Sequence, residues 1–295
     1  MQSPWSVKSN YLRKQLEYVK HLEKCQPFKM KNIIIQIYEV QTASEAEKLI
    51  ELGVDHIGSV IVSEREWQIP IIKETTSFID STDSKSSLIM LFSEQNNIFR
   101  ALDYYRPDIL HFCEDIASRY SIYGNCEDLI LLQQNIKEKF PEIKLMRSIP
   151  ITRSGMKNQV ASIEFARMFE PVSDYFLTDT LLVQSSGSGL KSQPVEGFVG
   201  ITGRTCDWDV AADLVESSSI PVILAGGIAP DNVFDGIKHV CPAGVDSCTG
   251  TNSLDFKGKP IRFQKDMEKV RRFVEETRRA EPKLSYFWGR NVLRS

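Results

Sequence analysis

Between Gly200 and Gly250 the chain carries three glycine-rich breaks: Gly200-Ile-Thr-Gly203-Arg-Thr-Cys-Asp-Trp208, Pro221-Val-Ile-Leu-Ala-Gly-Gly-Ile228 and Gly244-Val-Asp-Ser-Cys-Thr-Gly250. Two of them end short apolar runs of β type and all three lead into helical patterns, so their backbone N–H groups can converge on one anion. That is the chemistry of gripping a phosphate. Upstream, Asp179 stands where the apolar run Asp174 to Leu177 enters a Ser/Gly-rich stretch, Leu181 to Val199. A carboxyl in a low-dielectric pocket mouth can have its pKa raised towards neutrality and serve as a general acid. The plainer role for such a residue is to cap a helix or pair with an arginine.

Groups this far apart in sequence need a scaffold that brings strand ends together. Strand runs at Asn32–Val40, Val54–Val62, Ser87–Phe92, Asp108–Phe112, Lys144–Ile149, Asp174–Leu177, Val222–Leu224 and Gly244–Asp246 alternate with helical patterns. The helices fall at Ala43–Leu52, Pro70–Ile79, Asn97–Tyr105, Glu127–Phe140, Gln159–Phe169, Trp208–Glu216, Pro230–His239 and Phe263–Arg279. The strands are short and continuously apolar, as a parallel sheet covered by helices requires. The resulting series of β-then-α units fits a closed (β/α)8 TIM barrel over residues 31–280, which leaves no edge strand to protect. Residues 1–30 form an N-terminal extension with Tyr11, Leu12, Leu16, Val19 and Leu22 at helical spacing, and 281–295 a tail carrying Tyr286, Phe287 and Trp288. The 181–199 segment is either a lid over the barrel mouth or a surface insertion.

At 295 residues, 42% hydrophobic and 25% charged, the chain can bury a barrel-sized core, and a net charge of −3 supplies no overall electrostatic footprint for nucleic acid. No apolar run approaches the roughly 20 residues of a membrane span. The six cysteines are scattered without a CxxC pair, so reduced thiols in a cytoplasmic setting are expected. The four histidines lack metal-site spacing, and no metal is expected.

In a barrel of this kind chemistry sits at the C-terminal strand ends. Those positions are Tyr38, Arg65, Glu94, Glu114, Asp115, Arg147, Asp179, Gly226-Gly227 and Cys248-Thr249-Gly250. The combined pattern of the three glycine breaks, with Asp174-Tyr-Phe-Leu-Thr-Asp179-Thr before them, resembles the phosphoribosylanthranilate isomerase family from about residue 32 to 255. The resemblance implies an Amadori rearrangement of a phosphoribosyl amine in tryptophan biosynthesis, without a cofactor. A carboxylic acid protonates the sugar-ring oxygen to open the ring, and a first-strand cysteine removes the C2′ proton. Carried over, Asp179 is the acid. Gly226, Gly227, Cys248, Thr249 and Gly250 line the phosphate site, Thr202 and Gly203 belong to the loop covering it, and Arg65 matches an arginine facing the anthranilate carboxylate.

The first strand departs from that pattern: Lys-Ile-Cys-Gly-Ile-Thr stands here as Gln36-Ile-Tyr-Glu-Val-Gln41, which puts Tyr38 in the place of the cysteine. A tyrosine with a pKa near 10 accepts a proton at pH 7 only if a cation such as Arg65 or Arg147 stabilises its phenolate. His111 is a second acid–base candidate, and its plainer reading is a packed, hydrogen-bonded residue. Glu39 could act as base only if the strand end twists it inward, since alternation points it away from the face of Tyr38, and Cys113 and Cys248 could reach the mouth but have a plainer reading as small apolar core residues. Three functions are compatible with these residues: the isomerase, a different isomerase or lyase on a phosphorylated small molecule, and a non-catalytic phosphometabolite-binding protein. The ligand is a phosphorylated small molecule in each, with no nucleic acid or membrane partner, and the chain acts as a monomer or homodimer.

Overall fold

The computed structural model describes residues 32–123, 125–156, 160–183 and 193–281. Eight parallel strands close into a barrel in sequence order. They are β1 (Ile34–Ile37), β2 (His56–Ile61), β3 (Lys85–Met90), β4 (Ile109–Phe112), β5 (Lys144–Ile151), β6 (Tyr175–Thr180), β7 (Val222–Leu224) and β8 (Gly244–Ser247). Closure is made by β1 against β8, with Gln36 opposite Asp246. The described helices are α1 (Ala43–Glu51), α2 (Pro70–Asp80), α3 (Gln95–Tyr105), α4 (Ile116–Tyr123), α5 (Glu127–Lys139), α6 (Ser162–Phe169), α7 (Trp208–Ser217), α8 (Val233–Val240) and α9 (Met267–Ala280). The (β/α)8 barrel expected from the sequence is therefore the fold. The N-terminal extension and the 282–295 part of the tail lie outside the described residues.

Strand alternation divides the side chains into two layers. Ile35, Ile37, Phe176, Leu224 and Val245 point outwards into the main core under the helices. Tyr38, Val60, Ile109, Met146, Leu177, Ile223 and Ala225 fill the barrel itself. Polar side chains thread the same interior, and they satisfy one another, as buried polar groups must. Gln36 Oε1 meets His56 Nδ1 at 3.1 Å, Tyr38 Oη meets Ser87 Oγ at 2.5 Å, and His111 bridges Tyr38 Oη (2.8 Å) and Ser148 Oγ (2.9 Å).

Two elements differ from the sequence expectation. Helix α4 follows β4 directly, its first turn capped by Asp115, whose carboxylate accepts from Ser118 N (3.0 Å) and Ser118 Oγ (2.7 Å). Secondly, the last helix starts at Met267, not at Phe263, because residues 252–265 form an antiparallel hairpin of β9 (Asn252–Leu254) and β10 (Pro260–Lys265). Asp266 sets the boundary by capping α9, accepting from Glu268 N and Lys269 N. The cysteine expectation also needs amendment. Cys113, Cys126, Cys206 and Cys248 are free thiols, whereas Cys241 is disulfide-bonded.

Candidate active site

Two adjoining cavities open at the C-terminal ends of the strands. One, of about 360 Å³, is walled by the glycine breaks and contains every residue expected to hold phosphate: Thr202, Gly203, Gly226, Gly227, Cys248, Thr249 and Gly250. The backbone here leaves no room for side chains. A Cβ on Gly227 would lie 2.4 Å from the carbonyl carbon of Arg204, and one on Gly250 would lie 2.6 Å from Ile228 O. Gly226 and Gly227 also take left-handed conformations, with φ of 80° and 68°. Among the described residues, the amides of Gly203, Gly226 and Gly227 donate to no protein acceptor. Converging free N–H groups of this kind bind an anion without needing a lysine or arginine.

The second cavity, about 560 Å³, lies over the barrel interior and is lined mainly by apolar side chains, among them Val60, Ile89, Leu91, Leu177, Val195 and Phe198. Its roof is the end of the long loop after β6. Residues Glu114 and Phe198 form an antiparallel bridge, Val199 N donates to Cys113 O (2.8 Å), and Asp115 N donates to Gly197 O (2.9 Å). The 195–199 end of the segment thus lines this cavity. Gly200 is pressed onto Asp179, since a Cβ there would be 2.2 Å from Oδ2.

Asp179, Ile201, Asp246 and Cys248 form the wall common to both cavities. Burial raises Asp179 to about 7, against the pull of the Thr180 amide on its Oδ1 (2.8 Å). Among the described residues no cation pairs with Asp179, so burial sets its proton affinity. Asp246, on the inward face of β8, is also raised to about 7 by burial, in spite of a 3.2 Å hydrogen bond from Gln36 Nε2 and the charge of Lys265, and with Asp179 adding repulsion. Asp246 lies inside the third glycine break and is a cavity residue beyond those expected from the sequence. Its alternation with Gly244 and Cys248 was the available signal.

The other expected residues are placed differently. Tyr38 lines the second cavity, but its hydroxyl is shared between Ser87 and His111 and burial drives its pKa well above the tyrosine range. That placement argues against Tyr38 as proton acceptor. Neither proposed helper reaches it. Arg65 is exposed in the loop after β2 and lines neither cavity. Arg147 faces the helices, fully buried between the Phe112 and Phe169 rings, with Glu114 (2.5 Å) and Gln133 (2.6 and 2.8 Å) as its partners. His111 is held neutral by burial and by Arg147, at about 3, and is the packed residue of its plainer reading. Burial also pushes the Cys113 and Cys248 thiols far up, so neither is an activated nucleophile. Glu94 caps α3 through Asn96 N and Asn97 N.

Glu39 leaves the barrel. It takes φ of 66° directly after Tyr38, and its carboxylate accepts from Asn252 Nδ2 (3.0 Å) and Arg262 Nε (2.6 Å) of the hairpin. Burial opposes its charge, yet these hydrogen bonds and the Arg262 charge outweigh it and hold the carboxyl below its usual value. Gly58 is a further residue that sequence reasoning missed. The Tyr38 ring lies over it so closely that a Cβ would come within 2.1 Å of Tyr38 Cδ1.

A closed barrel whose glycine-walled cavity lies after β6, β7 and β8, with a buried carboxyl on its wall, is a (β/α)8 barrel with its candidate site at the C-terminal strand ends. Comparison with known proteins narrows the class. The family model described as N-(5'phosphoribosyl)anthranilate (PRA) isomerase matches residues 134–276. N-(5'-phosphoribosyl)anthranilate isomerase of Methanocella arvoryzae is 32% identical over 145 residues, which cover 49% of this chain and 55% of that protein. The enzyme of that name from Methanosarcina acetivorans is 24% identical over 247 residues, covering 83% and 92%. The crystal structure of phosphoribosyl anthranilate isomerase from Thermotoga maritima superposes with a TM-score of 0.60 over 83% of this chain and 98% of that one, at 17% identity. The resemblance to the phosphoribosylanthranilate isomerase family is carried by residues 134–276. The family match begins within α5, so it covers the strands that build the cradle and carry Asp179, while the first relative is matched over about half its length.

Proposed function

We propose that the protein catalyses the Amadori isomerisation of N-(5'-phosphoribosyl)anthranilate, a step of tryptophan biosynthesis. The observation that carries this reading is Asp179, a carboxyl raised to about 7 on the wall between an anion cradle and an apolar cavity. In such a pose the phosphate sits on the Gly203, Gly226 and Gly227 amides, and the aromatic amine enters the cavity beneath Phe198. The ribose ring between them is offered to Asp179.

Asp179 retains its proton near neutral pH and can deliver it to the ring oxygen as the ring opens, which is where an acid of this pKa is most effective. The lid excludes water from the resulting iminium, and the fixed N–H groups hold the phosphate so that the sugar carbons stay in register with the acid. Complementation of a tryptophan auxotroph lacking this isomerase tests the reading. Growth is the expected result. Failure to grow with folded protein present would instead favour a different reaction on a phosphorylated small molecule, or simple binding of one.

A further inference from the structure

We propose that Asp246 on β8, and no residue of β1, takes the C2′ proton, so that the site works with two carboxyl groups facing each other across the sugar. This rests on the isomerase reading above. A substrate with its phosphate in one cavity and its amine in the other must pass its sugar carbons along the shared wall of Asp179, Ile201, Asp246 and Cys248. Of that wall only the two aspartates exchange protons near neutrality. The β1 alternatives are occupied: Tyr38 by Ser87 and His111, and Glu39 by Asn252 and Arg262.

The residue opposite Asp246 supports the assignment. Gln36 pairs with it across the β1–β8 closure and donates from Nε2 to Oδ1, its own Oε1 being met by His56 Nδ1. A neutral amide aims the carboxylate while lowering its basicity less than a cation at the same place would. A lysine at this register, as in the motif the strand resembles, would hold it in an ion pair of low basicity. The titratable and charged groups around Asp246 are Asp179 on β6, Tyr38 on β1, Cys248 beyond β8 and Lys265 on β10. Gln36 and Lys265 favour the ionised form of Asp246, whereas the Thr180 amide alone does so for Asp179. The two carboxyls titrate as a pair near neutrality, and the shared proton is placed on Asp179 because Gln36 Nε2 donates to Asp246.

The steps balance. Asp179 gives its proton to the ring oxygen as the C1′–O bond breaks and the nitrogen lone pair forms the C1′=N iminium. Asp246 takes the C2′ proton, the C–H electrons become the C1′=C2′ bond, and the iminium electrons return to nitrogen. The enol collapses to the ketone as Asp246 returns a proton to C1′ and the O2′ proton restores Asp179.

The test is steady-state kinetics of Asp246→Asn with N-(5'-phosphoribosyl)anthranilate, with folding checked by thermal unfolding and cradle occupancy by the stabilisation that inorganic phosphate gives. The expected result is a kcat lower by about 10²–10⁴-fold with KM and the phosphate-induced shift preserved. A second variant, Gln36→Lys, should lower kcat and move the acid limb of the kcat/KM profile to lower pH. A folded Asp246→Asn variant retaining kcat within about threefold overturns the proposal but leaves the isomerase reading intact. If that variant does not fold, an unmoved acid limb in Gln36→Lys overturns it. Wild-type protein that neither turns over nor binds this substrate ends both.

Discussion

Asp179 and Asp246 each hold a proton to about pH 7 in the folded protein, whereas an unfolded aspartate loses it near 3.9. For a carboxyl whose folded pKa is raised, the folded state binds more protons between those limits, so stability is full below about pH 4 and falls as the pH rises through 7. Asp246→Asn removes one of these costs. The variant should melt several degrees above wild type at pH 8 and show little gain at pH 4.5, measured by thermal unfolding at the two pH values. Tyr38 is a wall residue by the same reasoning. Tyr38→Phe should keep turnover within about tenfold while costing about 1–2 kcal/mol for the lost hydrogen bonds to Ser87 and His111. A fall as deep as that of an acid–base variant would instead place Tyr38 in the chemistry. At this scale the gathering of the glycines and Asp179 around one cavity is legible because their types and spacing are local. The commitment of Tyr38, Arg147 and His111 to other partners is not, since each partner lies on a different strand or helix.

Elements decide which of these residues can meet. The β9–β10 hairpin, inserted between β8 and α9, supplies Asn252 and Arg262 to Glu39 and brings Lys265 Nζ to Cys248 O (2.9 Å) and Asn252 Oδ1 (2.5 Å). Arg262→Ala leaves the Glu39 carboxylate buried with a weaker partner set. Because the Arg262 side chain is itself 39% exposed, the expected loss is about 1–3 kcal/mol by chemical denaturation, smaller than for a fully buried pair. No loss would mean that the pair contributes nothing to holding the hairpin on the barrel. In sequence the end of the hairpin is indistinguishable from the start of the last helix at Phe263, because its charged and apolar residues suit either period over so short a span. The sharp boundary comes from the Asp266 cap. Helix α4 was passed over for a similar reason. Its cap, Asp115, falls at a strand end where chemistry is expected, although its carboxylate is taken up by Ser118.

The molecule as a whole divides its labour around the barrel. Strands β6 to β8 and their loops line the glycine-walled cavity and carry both aspartates, and the family match lies over this half. Strands β1 to β4 build the apolar cavity with Tyr38, Val60, Ile89 and His111. The eight-unit rhythm made the barrel legible, because a parallel sheet imposes its period on the whole chain. The pocket's occupancy by neighbouring side chains is a property of closure, which no single segment encodes. Binding at the cradle should stabilise the entire barrel, since strands closed in a ring unfold together. Inorganic phosphate at about 100 times its Kd should add about 2.7 kcal/mol, and Gly227→Ala, which forces a side chain against the Arg204–Thr205 backbone, should abolish that gain.

Turnover of N-(5'-phosphoribosyl)anthranilate by wild type and by Asp179→Asn at pH 7 tests the central claim most directly. The account predicts that wild type forms the ketose product and that the variant, still binding phosphate, loses about 10²–10⁴-fold in kcat. Equal rates in the two proteins, or no product from a folded wild-type protein, would contradict it.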